Sequence, residues 1–122
     1  MGVVYYANYL AYLESGRTGL LREAGMPYGE IERMGIFLPV MECQCKYRGA
    51  ARFDEEITVE TTLAYIKNAS IKFSYAIKNQ SGDTIVTGYT VHPFVDATWR
   101  IVPIPDNVRN GLTAYLEKES KS

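Results

Sequence analysis

Histidine is nearly absent from this sequence: His92 is the only one. No acid stands at a telling distance from it, so a Ser–His–acid nucleophile is excluded. Cysteine is almost as scarce, with only Cys43 and Cys45, one residue apart. One histidine and a Cys-x-Cys pair do not complete a metal ligand set, and they are no export framework of disulfides. On a strand both thiols point to one face and read as reduced, as in a cytoplasmic protein. An excess of charge is also missing. Lys and Arg number 13 against 14 Asp and Glu, for a net charge of -1, without a basic cluster. Nucleic acid is therefore not an expected partner. No apolar run reaches the length that crosses a bilayer, so membrane insertion is not expected. The start, Met1 to Leu10, has no basic flank and is interrupted by Asn8 and tyrosines, unlike a signal peptide. Tyr6 stands where a myristoylation site needs Ser or Thr.

What remains is ordinary for a globular protein: 47% hydrophobic and 22% charged residues. A length of 122 residues is one domain, taken as 1–122, with a modest core. From about Tyr6 to Ala24 the pattern is helical, with Leu10, Leu13, Leu20, Leu21 and Ala24 near one stripe. Gly25 and Pro27 mark its end. Tyr28 to Met34 reads as a short second helix closed by Gly35.

The period then switches to two. Ile36 to Tyr47 reads as a strand whose first residues Pro39 places on an edge or outside the ladder. Ile57 to Tyr65, Ile71 to Lys78 and Ile85 to His92 alternate strictly, each with one expected apolar face. Gln80-Ser81-Gly82-Asp83 is a hairpin turn. Asp106 can cap a last helix whose apolar face is Val108, Leu112, Tyr115 and Leu116. One long helix is the element able to cover the strands, which predicts an α+β domain with an antiparallel sheet wrapped around it.

Four stretches in order then resemble a known family. They are Gly2-Val3-Val4-Tyr5-Tyr6-Ala7-Asn8-Tyr9 with Glu14-Ser15-Gly16-Arg17-Thr18; Tyr47-Arg48-Gly49-Ala50-Ala51-Arg52-Phe53-Asp54-Glu55; Asn68-Ala69-Ser70; and Thr90-Val91-His92-Pro93-Phe94-Val95-Asp96. Together they resemble the hotdog-fold acyl-CoA thioesterases, in the branch of 4-hydroxybenzoyl-CoA thioesterase and the Tol-Pal-associated enzymes. The resemblance implies hydrolysis of a CoA thioester to free acid and CoA, without metal or cofactor, CoA being part of the substrate. It also implies a homodimer or homotetramer with active sites at a subunit interface.

In that family the backbone N–H matching Tyr6, at a helix N-terminus, polarises the thioester carbonyl. A carboxylate three residues before the glycine matching Gly2 serves as nucleophile or general base. Here that position falls ahead of Met1, and with it most or all of the family's first strand. Either Met1 is internal to a longer chain, or this is a shortened paralogue. The second explanation would make the protein a non-catalytic binder of acyl-CoA, or a partner subunit in an oligomer. A hotdog dehydratase fits less well, because His92 lacks an acid beside it.

Several residues are candidates beside their bland readings. Tyr6 offers its N–H; its phenol, with an ordinary pKa near 10, is no substitute for a carboxylate. Glu14 is the nearest acid downstream and a substitute for the missing one, although it is better suited to pair with Arg17 or Thr18. Ser70 stands where the family places a hydroxyl near the thioester or pantetheine, or is an ordinary strand-start serine. Gly2, Val3 and Asn8 would line the substrate at the helix start, and Asn8 could equally serve the helix end. Arg48, Arg52 and Lys67 suit the CoA phosphates, or are solvated surface charges.

Overall fold

The computed structural model describes residues 6–49 and 56–120, with side chains from Tyr9 to Gly49 and from Glu56 to Glu119. The long helix α1 runs Tyr6–Glu23. It stops as Gly25 predicts: Gly25 has φ +78°, the N–H of Met26 donates to Leu21 O at 2.8 Å, and that of Gly25 to Arg22 O at 3.0 Å. This pair of bonds satisfies carbonyls that the helix end leaves open, and the left-handed residue it needs favours glycine. The short helix α2, Tyr28–Arg33, ends in the same way at Gly35, φ +76°. Arg33 and Glu30 form a surface ion pair on it.

Four strands follow: β1 Glu42–Tyr47, β2 Thr58–Ile66, β3 Ser70–Lys78 and β4 Thr84–Pro93. They pair antiparallel in the order β1-β4-β3-β2. The turn between β3 and β4 is held by Asn79 Oδ1, which accepts from the N–H groups of Ser81 at 3.0 Å and Asp83 at 2.9 Å. The strand expected from Ile36 is shorter than the sequence suggests. Phe37 makes only an isolated bridge to Val95, and the ladder begins at Glu42, beyond Pro39.

α1 lies on the inner face of this sheet, the hotdog arrangement. Tyr9, Leu13, Leu20 and Leu21 are buried, whereas Leu10 is 40% exposed and not part of the buried stripe. The stripe follows Tyr9, Leu13, Gly16 and Leu20, and Leu10 sits about 100° around from Tyr9. At Gly16 the helix comes so close to β2 that a Cβ would collide with Thr61 Oγ1 and crowd Val59. The Thr61 hydroxyl is itself buried and has no hydrogen-bond partner among the described residues.

Two strands depart from simple alternation. A register shift between Leu63 and Tyr65 turns Tyr65 to the outer face, so the run Ile57 to Tyr65 is not one face. On β4 the inner face is Val86, Gly88, Thr90 and His92, paired with the buried Ile77, Tyr75, Phe73 and Ile71 of β3. Thr87, Tyr89 and Val91 of β4 point the other way, while Ile85, at a register shift, is buried with the core. Two polar side chains, Thr90 and His92, are thus buried.

After β4 the chain turns at Asp96, whose Oδ1 accepts from Thr98 N at 2.9 Å, Thr98 Oγ1 at 2.7 Å and Arg100 N at 3.1 Å. That turn carries Trp99 at φ 65° and leaves its ring 70% exposed. The closing helix α3, Asp106–Ser120, buries Val108 and Leu112 completely, as its spacing predicts. Arg109 Nη2 fastens it to the turn between β2 and β3, donating to Lys67 O at 2.7 Å and Asn68 O at 3.1 Å. Ala69 O accepts from Phe94 N at 2.8 Å and Asn68 O from Ile104 N at 3.0 Å. The Asn68-Ala69-Ser70 stretch is therefore a backbone anchor for three segments. No helix among the described residues is long and apolar enough to cross a membrane.

Candidate active site

Tyr6 is the first described residue of α1, and the family resemblance is what puts a carbonyl-polarising N–H at this position. Gly2, Val3 and Arg52 lie outside the described residues, as does the side chain of Asn8.

Further along α1, a pocket of about 220 Å³ opens between the helix, β3, β4 and the segment ahead of β1. Leu21, Leu38 and Phe73 form apolar wall; Glu14, Arg17 and His92 are its ionisable members. A neighbouring cleft of about 390 Å³ shares Glu14, Arg17 and Val40 and continues toward Leu10, Leu13 and Cys43. Arg17 thus divides one continuous groove along the helix.

A chain of polar groups runs beneath it. His92 Nδ1 is 3.1 Å from Leu38 O, and a carbonyl only accepts, which assigns the proton to Nδ1. In the neutral ring Nε2 is then an acceptor, so the Thr90 hydroxyl, 2.8 Å away, donates to it. The Tyr75 phenol in turn donates to Thr90 Oγ1 at 2.6 Å. Arg17 lies near enough to the Tyr75 phenol to favour its ionised form. The donors in this chain point one way, from Tyr75 to Leu38 O. Burial pushes the His92 imidazole below its usual pKa, although the Leu38 carbonyl favours the charged ring. Burial likewise pushes the Tyr75 phenol up, while Thr90 and Arg17 pull it partly back.

The other expected site residues are scattered. Glu14 is exposed at the pocket rim, and among the described residues it forms no ion pair with Arg17. Ser70 opens β3 in register with Pro93, on the opposite face to the fully buried Ile71, and it does not line this pocket. Arg48 follows β1 and donates from Nε to Thr87 Oγ1 at 3.3 Å. Lys46, Lys72 and Tyr89 share its shallow surface on the outer face of the sheet. Lys72 Nζ lies 4.2 Å from the Tyr89 ring centre, and Lys67 Nζ 4.6 Å from that of Tyr65.

Sequence reasoning missed Tyr75, Thr90, Lys46 and Lys72, and named Arg17 only as a partner for Glu14. The signal for Thr90 and His92 was their shared parity with Val86 in one strand. Lys46 could have been found from its alternation with Cys45 and Tyr47.

Comparison with known proteins agrees with the fold. A family model described as the thioesterase-like superfamily matches residues 1–112. YneP of Bacillus subtilis, a candidate acyl-CoA thioesterase, is 31% identical over 96 residues, which are 79% of this chain and 70% of YneP. The crystal structure of TT1821 from Thermus thermophilus superposes with a TM-score of 0.87 at 34% identity, covering 94% of this chain and 88% of that one. The BH1999 gentisyl-coenzyme A thioesterase superposes with a TM-score of 0.79 at 25% identity, covering 88% of this chain and 87% of that one. With its hotdog sheet, its long inner helix and a family match over most of its length, the chain belongs to the thioesterase-like superfamily.

Proposed function

We propose that this protein hydrolyses an acyl-CoA to the free acid and CoA. The observation that carries the reading is the family match over residues 1–112, together with relatives named as acyl-CoA thioesterases. As the thioester carbonyl becomes tetrahedral, its oxygen gains charge, and the Tyr6 N–H, which the resemblance puts at a helix N-terminus, stabilises it without rearranging. One such fixed donor is worth about 3 kcal/mol. The attack is made, directly or through water, by the carboxylate that the family resemblance implies three residues before the glycine matching Gly2. CoA enters as part of the substrate, and its phosphates are met by Arg48, Arg52 and Lys67 with Lys46 and Lys72. The protein acts in the cytoplasm as a homodimer or homotetramer of the 4-hydroxybenzoyl-CoA and Tol-Pal-associated type.

The test is thiol release from short, long and aromatic acyl-CoAs, with this chain and with a form extended upstream of Met1. Turnover by the extended form alone supports the proposed carboxylate. Turnover by both moves the role to an acid within the chain, Glu14 first. If neither releases thiol while both bind CoA esters, the enzyme reading fails and a binder replaces it.

A further inference from the structure

Two polar groups of the pocket beside Arg17 already have partners. The Tyr28 hydroxyl accepts from Leu38 N at 3.2 Å, and both His92 nitrogens are engaged. Arg17 differs. Its guanidinium has several donors in a planar fork, and the group close to it is the Tyr75 phenol. It is half-buried, and no carboxylate pairs with it among the described residues. A partly desolvated cation with open donors favours a ligand that brings an anionic acceptor.

Its place along α1 says which part of a substrate that acceptor belongs to. Arg17 lies eleven residues after Tyr6, about 16 Å of helix rise, and its side chain leans back toward the helix start. The cleft that runs from Arg17 back along the helix as far as Leu10 is walled by Leu10, Leu13, Val40 and Cys43. A medium-length apolar chain fits that wall, with its thioester at Tyr6 and its far end at Arg17.

From this geometry we infer that Arg17 is a specificity residue for acyl-CoAs whose acyl chain ends in a carboxylate. The ω-carboxylate pairs with the guanidinium, which lies beside the Tyr75–Thr90–His92 chain. Glu14 lines the same two clefts, and because it is exposed its repulsion of an anion there is partly screened. The inference rests on the acyl-CoA thioesterase reading, and its test separates the two.

Binding is measured by calorimetry with thioether analogues of octanedioyl-CoA and octanoyl-CoA, which are not cleaved. Thiol release from the matching esters is followed in parallel. The expected result is about tenfold or greater preference for the carboxylate-ended analogue. Arg17→Met removes the preference, and Arg17→Lys, a point charge without the fork, keeps part of it. Equal or tighter binding of the methyl-ended analogue by the unaltered protein overturns the inference, whether or not any variant folds. So does a failure of both analogues to bind. Preferential binding without thiol release leaves the specificity standing and removes the hydrolase.

Discussion

His92 shows how one residue's surroundings set its chemistry. It is the only histidine, it is 1% exposed, and burial holds its pKa below 6.5. Between that lowered value and about 6.5 the unfolded chain binds a proton that the folded one does not. Stability therefore falls as pH drops below about 6.5 and is fully present above it. The slope is at most about 1.4 kcal/mol per pH unit. A protonated Nε2 would also have to donate where it now accepts, against the direction of the Thr90 and Tyr75 hydroxyls. Melting temperatures between pH 7 and pH 5 test this: the native protein is expected to lose stability more steeply than His92→Gln. Parallel slopes would mean that His92 is not the titrating group. The sequence offered little of this, because a strand's parity says which residues share a face but not which face is buried.

Between elements, the tightest contact is that of α1 on β2 at Gly16. Gly16→Ala must push the helix away from Thr61, and such overpacking costs about 1–3 kcal/mol. Thr61→Ala in the same chain makes room for the added methyl and should restore part of the loss, a non-additivity expected of touching residues. Thr61→Val alone is expected to be neutral or stabilising, since it removes a buried hydroxyl without a partner. Denaturant titration of the four proteins checks the set; a Gly16→Ala variant as stable as the native protein would show that the approach is loose. Local signals announced most of these elements. Gly25 and Gly35 stop the helices where expected, and the hairpin at Gly82 and the face of α3 follow their spacing. What stayed hidden is non-local. The close approach at Gly16 depends on Thr61, and the groove needs Arg17, Tyr75 and Thr90 from three separate elements, with no periodicity linking them.

At the scale of the whole molecule, the near-zero net charge conceals an uneven surface. Lys46, Arg48 and Lys72 gather on one patch of the outer sheet face. If that patch meets the CoA phosphates, Arg48→Gln raises KM for acyl-CoA a few-fold with kcat unchanged. The difference should shrink in high salt, where exposed charges are screened. An unchanged KM at low salt would move the phosphates elsewhere. A different consequence attaches to the turn at Asp96, which carries the only tryptophan out into solvent. Its emission in the native state should already be red-shifted and open to quenching by iodide or acrylamide. An indole signal will therefore report that surface loop and whatever lands on it. The melting of the core has to be followed by circular dichroism, because a change in tryptophan emission says little about whether Tyr9, Phe73 and Leu112 are still packed.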